Sequence, residues 1–397
     1  MNRLRRRLLA SFAKASEAMA FLALAKEAMA SEALAKEAMP SIALAKEAMD
    51  YPAITPRLLT FPRDFGAHLP YRTEWWYLTG QLEAAPGSAQ PRLGIQLTFF
   101  RIRPPIDPSN PSRFAAHQLV LAHAAIADPR RGTLLHEERI ARAGFGIAQV
   151  SDADTEIQVD RWRLERDAAS GVYRGRVRGA LFALELTATP TQPPLPQGER
   201  GFSRKGPGDD APASLYYSEP QLALQAHVAL AGDTGEAPRS GRGWLDHEWS
   251  STLLPSQATG WDWIGANLDD GSALTAFRIR RAAAADADEP WFAYASLRTA
   301  GRSVQTFARG QVRFEPLQAW TSPRTRAAYP VAQRIRVGSR QFETRPLMAD
   351  QEFDARAGSG IAYWEGASDL LEGGRTVGRG YLELTGYAGP VPGVLSG

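Results

Sequence analysis

The chain has 397 residues, 44% of them hydrophobic and 22% charged, with a formal net charge of +3 and no cysteine. That length can bury the cores of two ordinary globular domains, and the missing cysteine excludes disulfides, cysteine–zinc sites and thiol nucleophiles. The first 50 residues carry eight Lys or Arg against six acids, leaving 38 basic against 37 acidic residues beyond them, so the basic field that grips nucleic acid is missing.

Residues 1–50 read as an export-signal-like leader. Arg3, Arg5, Arg6 and Arg7 resemble the basic start of a signal, but Lys14 and Glu17 interrupt the apolar stretch that should follow. Met19, Met29, Met39 and Met49 mark a decad repeat whose later copies end in Ala-Leu-Ala-Lys-Glu-Ala-Met. These residues form helices readily. Ten residues at about 100° each leave successive repeats roughly 80° out of phase, so no continuous apolar seam forms. The expected location is exported, periplasmic or membrane-associated, with peripheral membrane contact. Elsewhere no run of about 18 apolar residues suggests an integral membrane protein.

From residue 70 the pattern changes to alternation. Glu74–Leu78 and Leu93–Phe100 are predicted strands, followed by Leu119–Ala127, Val172–Val177, Leu181–Ala188 and Leu222–Leu230. Residues 189–213, with six prolines and four glycines, are predicted as a long loop. Residues 231–243 hold four glycines and are expected to divide two all-β halves, 51–240 and 241–397. In the second half, Ile264–Leu268, Ala273–Ile279 and Tyr381–Gly386 read as strands, and Asp269-Asp270-Gly271 as a hairpin turn. Many short strands with frequent turns imply antiparallel barrels or sandwiches.

Six of the ten tryptophans fall in two short segments beside acids: Trp75 and Trp76, then Trp244, Trp249, Trp261 and Trp263. Large rigid indoles with a few placed polar groups are how sites for apolar ligands are built. The candidate lining is Glu74, Trp75, Trp76, Tyr77 and His123 in the first half, and Asp246, Trp249, Trp261 and Trp263 in the second. On an extended strand Trp244, Asp246 and Glu248 share one face, and Leu245, His247 and Trp249 the other. Asp262, flanked by two indoles, is expected to be buried. A carboxyl in apolar surroundings can stay protonated near neutral pH and act as a general acid. A competing structural reading has the Trp75–Trp76 pair plugging a barrel end, with Arg72 and Glu74 paired at the rim. No P-loop, dinucleotide-binding glycine fingerprint or nucleophile elbow is present. His136-Glu137 and His247-Glu248 begin like zinc-protease motifs but lack the second histidine, so neither metal nor cofactor is expected.

Phe61-Pro62-Arg63-Asp64 and Tyr71-Arg72-Thr73-Glu74-Trp75-Trp76-Tyr77-Leu78-Thr79-Gly80 resemble the lipocalin-like family of AttH-type exported proteins and carotenoid 1,2-hydratases. Later blocks, among them Gln96–Arg101, Gly201–Gly206 and Gly380–Tyr387, are similar to the same family. The resemblance runs from about residue 57 to 390 and implies two tandem lipocalin-like antiparallel barrels. It also implies cofactor-free addition of water to a C=C bond of a long isoprenoid. The acid would be Asp262, with His247, Trp249 and Trp261 beside it. The alternative is an exported, non-catalytic carrier of a carotenoid, isoprenoid or lipid, associated with an ABC transporter.

Overall fold

A computed structural model describes residues 51–233, 237–281 and 290–390. The expected leader and its decad repeat lie outside the described residues. Residues 105–113 group apart from the rest; there Asp107 accepts hydrogen bonds from the Ser109 backbone and hydroxyl at 2.8 and 2.7 Å.

The first sheet holds β1 (Thr73–Ala84), β2 (Leu93–Ile102), β3 (Leu119–Ala127), β4 (Leu135–Arg142), β5 (Ala148–Val150), β6 (Glu156–Val159), β7 (Trp162–Arg166), β8 (Tyr173–Arg178), β9 (Phe182–Thr189), β10 (Leu195–Pro196), β11 (Phe202–Arg204), β12 (Ala213–Leu230) and β13 (Ala237–Ser250). The second holds β14 (Ala258–Leu268), β15 (Ala273–Arg281), β16 (Phe292–Arg298), β17 (Val304–Phe307), β18 (Val312–Thr321), β19 (Ala328–Val337), β20 (Arg340–Pro346), β21 (Glu352–Ala355), β22 (Ile361–Glu372) and β23 (Arg375–Thr385). Among the described residues, helix is limited to 3-10 turns at Arg63–Phe65 and Arg309–Gln311.

Each sheet is antiparallel and curls into a barrel around its own core. The strand orders correspond: β4-β3-β2-β1-β13-β12 in the first sheet, β17-β16-β15-β14-β23-β22 in the second. Side-chain alternation explains the curl. On β1, Trp76, Leu78 and Leu82 enter the first core, while on β14, Ile264, Ala266 and Leu268 enter the second. The opposite faces of both strands meet a third apolar cluster, which contains Tyr77, Trp244, Trp263 and Phe277 and lies between the barrels.

Two expectations need correction. The division at 240/241 falls inside β13, which pairs along its length with β1 and β12. The sheet changes between Ser250 and Ala258 instead, because residues 239–243, with their glycines, are strand paired on both sides and not linker. At Gly241 an added Cβ would lie within contact of the Gln81 carbonyl. The predicted loop at 189–213 is partly strand: β10 and β11 both pair with β12.

Amide side chains join the barrels. Gln81 Nε2 donates to the carbonyls of Ser368 and Gly380, each at 3.0 Å. Gln197 Nε2 donates to Thr275 Oγ1 at 2.9 Å, and Asn267 Nδ2 to the Gly243 carbonyl at 2.8 Å. Gly94 lets β2 approach the second barrel closely, since a Cβ there would meet Ala367 Cβ at 2.6 Å.

Candidate functional site

The outward faces of β1, β13, β14, β22 and β23 enclose a cavity of about 160 Å³ between the barrels. Trp75, Tyr77, Trp261, Trp263, Phe277 and Tyr363 wall it. Exposed residues at Arg356, Gly360, Gly389 and Pro390 mark its mouth. Ligand sites commonly enclose about 300–1,000 Å³, so this cavity is small beside them.

Four carboxyls reach it: Asp246, Glu248, Glu365 and Glu383. Asp246 Oδ1 accepts from Ser218 Oγ at 2.5 Å and Trp244 Nε1 at 2.7 Å, and Oδ2 accepts from the Tyr216 hydroxyl at 2.7 Å. Burial pushes its pKa up to about 7 against those three donors. Glu248 Oε1 pairs with Lys205 Nζ at 2.6 Å and also accepts from the Ser214 hydroxyl.

Glu365 and Glu383 are direct cross-strand partners on β22 and β23. Glu365 is 3% exposed and its Oε2 has no hydrogen-bond partner. Burial, and then the Glu383 charge, hold its pKa well above the usual carboxylate range. Burial lifts Glu383 to about 7, although Thr385 Oγ1 donates to it at 2.9 Å and the Trp261 indole lies beside it. Two carboxyls facing one another in apolar surroundings cannot both ionise cheaply.

The predicted site residues divide between this cavity and the barrel interiors. Trp75, Tyr77, Asp246, Trp261 and Trp263 line the cavity. Glu74, Trp76, His247 and Trp249 point the other way, into the first barrel. There Glu74 Oε1 accepts from His68 Nδ1 at 2.7 Å and lies 2.8 Å from His247 Nε2, while Oε2 takes Arg101 Nε at 2.8 Å. Arg101, opposite Glu74 on β2, replaces the expected rim partner Arg72. Burial alone would raise the Glu74 pKa, but Arg101 and the two histidines hold it well below the ordinary value. Burial lowers the His247 pKa despite Glu74. His68 stacks on Trp249 at 3.6 Å and His247 on Trp76 at 4.5 Å. His123 faces the second barrel outside the cavity, its Nδ1 2.8 Å from the Tyr363 hydroxyl.

Asp262 is the main departure. It points into the second barrel, away from Trp261 and Trp263, and does not line the cavity. Oδ2 lies 2.7 Å from Arg278 Nη2, Oδ1 lies 3.1 Å from Arg280 Nε, and the Tyr387 hydroxyl donates to Oδ1 at 3.0 Å. Burial would raise its pKa, but the two guanidiniums overcome this and hold it below the usual carboxylate range. A carboxylate so paired has no proton to give. It repeats the Glu74–Arg101 pair of the first barrel, because Arg278 stands opposite it on β15.

His68, Glu74 and His247 bring their ligand atoms within 4.8 Å of one another. The trio fits a hydrogen-bond network better than a metal centre. Glu74 already accepts from both rings, His68 Nε2 lies 3.0 Å from Asp64 Oδ1, and Arg101 supplies the positive charge.

The AttH-like family model matches residues 52–387. The chain belongs to that family. A crystal structure assigned to AttH from Nitrosomonas europaea is 47% identical, with a TM-score of 0.76, covering 85% of this chain and 99% of that one. Kievitone hydratase from Nectria haematococca shares the fold at 13% identity and a TM-score of 0.61, covering 84% of this chain and 94% of its own. CghA shares it at 14% identity and a TM-score of 0.53, covering 87% and 98%. No curated protein matches the chain. These likenesses agree with the double lipocalin-like barrel.

Sequence reasoning did not single out Glu365, Glu383, Lys205 or Tyr216. The available signal was the alternation Tyr381-Leu382-Glu383-Leu384-Thr385, which puts Glu383 on a face between Tyr381 and Thr385.

Proposed function

We propose that this chain is a hydratase that adds water across a C=C bond of a long apolar isoprenoid lodged between the barrels, without a cofactor, using Glu365 as the acid. The observation that carries this reading is the Glu365–Glu383 pair, a carboxyl with an unpartnered oxygen facing an aromatic-walled cavity. The Glu365 proton adds to the less substituted carbon of the terminal C=C bond, whose π electrons form the new C–H bond and leave the more substituted carbon as a tertiary carbocation. Water attacks the cationic carbon, the C–O bond forms, and the water proton returns to the Glu365 carboxylate. The ring faces of Trp261 and Trp263 and the carboxylates favour the cation. A fold shared with a hydratase is compatible with this chemistry; the argument for it is the carboxyl pair.

Export through the basic leader, docking at a membrane surface and association with an ABC transporter belong to the same proposal. A pure carrier needs only apolar lining, whereas burying unpaired carboxyls is costly, which favours catalysis.

The test is incubation of the full chain with a detergent-dispersed acyclic carotenoid and mass analysis for one added water, with Glu365→Gln alongside. A hydrated product lost in the variant is expected. Undiminished turnover in Glu365→Gln overturns the assignment, and retention of unreacted carotenoid alone supports the carrier.

A further inference from the structure

We infer that the inter-barrel cavity is a receptor for apolar organic cations, of the alkylammonium class, and discriminates against fatty-acid anions. The inference rests on the proposed reading of this cavity as the ligand site, and independently of any turnover.

Its first support is charge. Asp246, Glu248, Glu365 and Glu383 face the cavity, and the cations on its lining are Lys205 and Arg356. Lys205 is committed to Glu248 at 2.6 Å, and Arg356 at the mouth to Asp354 at 2.8 Å. Asp246, Glu365 and Glu383 have no ion-pair partner among the described residues. At pH 8, above the values near 7 to which burial lifts Asp246 and Glu383, these two carboxyls are ionised while Glu365 holds its proton, so the cavity floor presents negative potential in a low-dielectric enclosure, where a charge acts more strongly than in water.

The second support is shape and surface. Trp75, Trp261 and Trp263 present indoles around the carboxyls, and aromatic faces attract cations once these are desolvated. Lys205 already exploits this, with its Nζ 4.9 Å from the Phe277 ring centre and 5.3 Å from that of Tyr216. A bare metal ion needs several convergent oxygen ligands, but here the acids are spread around Tyr77 on three strands. A substituted ammonium carries its charge on a methyl-clad, weakly hydrated centre and fits both features. It also shares the positive charge and methyl-clad centre of a tertiary carbocation, so the two readings place a similar electrostatic demand on the site. A carboxylate headgroup would meet repulsion from the ionised Asp246 and Glu383, with Lys205 already committed to Glu248.

The experiment compares three ligands below their micelle concentrations by calorimetry with the full chain at pH 8. They are decyltrimethylammonium, a neutral tert-butyl alkane of equal length, and decanoate. The ammonium is expected to bind about tenfold or more tighter than the neutral isostere, with decanoate weakest. In a Glu365→Gln/Glu383→Gln double variant, checked for a native melting transition, the ratio of the first two should fall toward one. Asp246→Asn serves if the double variant does not fold. Equal wild-type affinities for ammonium and isostere overturn the inference, as does an undiminished ratio in the folded variants. An active hydratase without the preference sinks this inference and leaves hydration standing; a clear preference in a protein that hydrates nothing does the reverse.

Discussion

Glu365 and Glu383 stand directly opposite one another on β22 and β23, both turned toward the space between the barrels. The proximity of Glu383 helps keep Glu365 protonated where a free glutamic acid would be ionised. Turnover by an acid so held should persist well above the pH at which a free glutamic acid ionises and fall only at higher pH. Glu365→Gln should lower the rate by about 10²–10⁴-fold, the usual worth of a positioned general acid. Glu383→Gln removes the like charge, so the alkaline limb of its pH–rate profile should move to lower pH. A Glu383→Gln profile superimposable on wild type would show that the two carboxyls do not interact.

The same carboxyls shape stability. A carboxyl whose folded pKa exceeds its unfolded value stabilises the fold fully below the unfolded value, roughly 4. That contribution disappears as pH rises through the folded value, about 7 for Asp246 and Glu383. Glu383→Gln has no charge to bury, so its melting temperature relative to wild type should be higher at pH 8 than at pH 5. The difference should be a few degrees, at about 2–4 °C per kcal/mol for domains of 150–250 residues. A constant difference across that range would contradict a buried, ionising Glu383.

Asp262 behaves oppositely. Its folded pKa is depressed by Arg278 and Arg280, so its contribution is present above the unfolded value and is lost as pH falls through the folded one. Asp262→Asn leaves two guanidiniums near the second core without a counter-charge and should cost about 3–5 kcal/mol, read by urea denaturation at pH 7. Turnover per folded molecule should be little changed. Normal stability with abolished turnover would restore Asp262 as the acid.

Much of this architecture is visible in one dimension. The strand read at Glu74–Leu78 is present as β1, but it turns Trp75 and Tyr77 to the cavity side and Trp76 into the first core, dividing residues expected together in one lining. The face shared by Trp244, Asp246 and Glu248 is likewise the one turned to the cavity. What alternation does not encode is which face meets the other barrel. Flanking indoles suggested a dry pocket for Asp262, but on a strand the neighbours of a residue point away from it, and its real companions are Arg278 and Arg280 one strand over. Glu365 and Glu383 lie 18 residues apart, and their pairing becomes evident only when β22 and β23 are laid side by side.

The cavity exists because two barrels are held at a fixed separation, and Gly94 sets part of it. A side chain there would enter the space of Ala367 Cβ at 2.6 Å and the Tyr381 hydroxyl at 2.7 Å. Ala367 and Tyr381 pair across β22 and β23, one step along the same faces from Glu365 and Glu383. Gly94→Val should therefore push those strands away from β2 and cost about 1–3 kcal/mol, as overpacking does. Because the damage falls between the cores and not within either, the barrels should uncouple, giving two calorimetric transitions in place of a cooperative one. Gly310→Ala, where an added Cβ meets no neighbour within 4 Å, should leave the melting curve unchanged. If Gly94→Val melts as wild type does, the barrels do not depend on this contact for their spacing, and the carboxyl pair is positioned by the amide bridges at Gln81 and Asn267 instead.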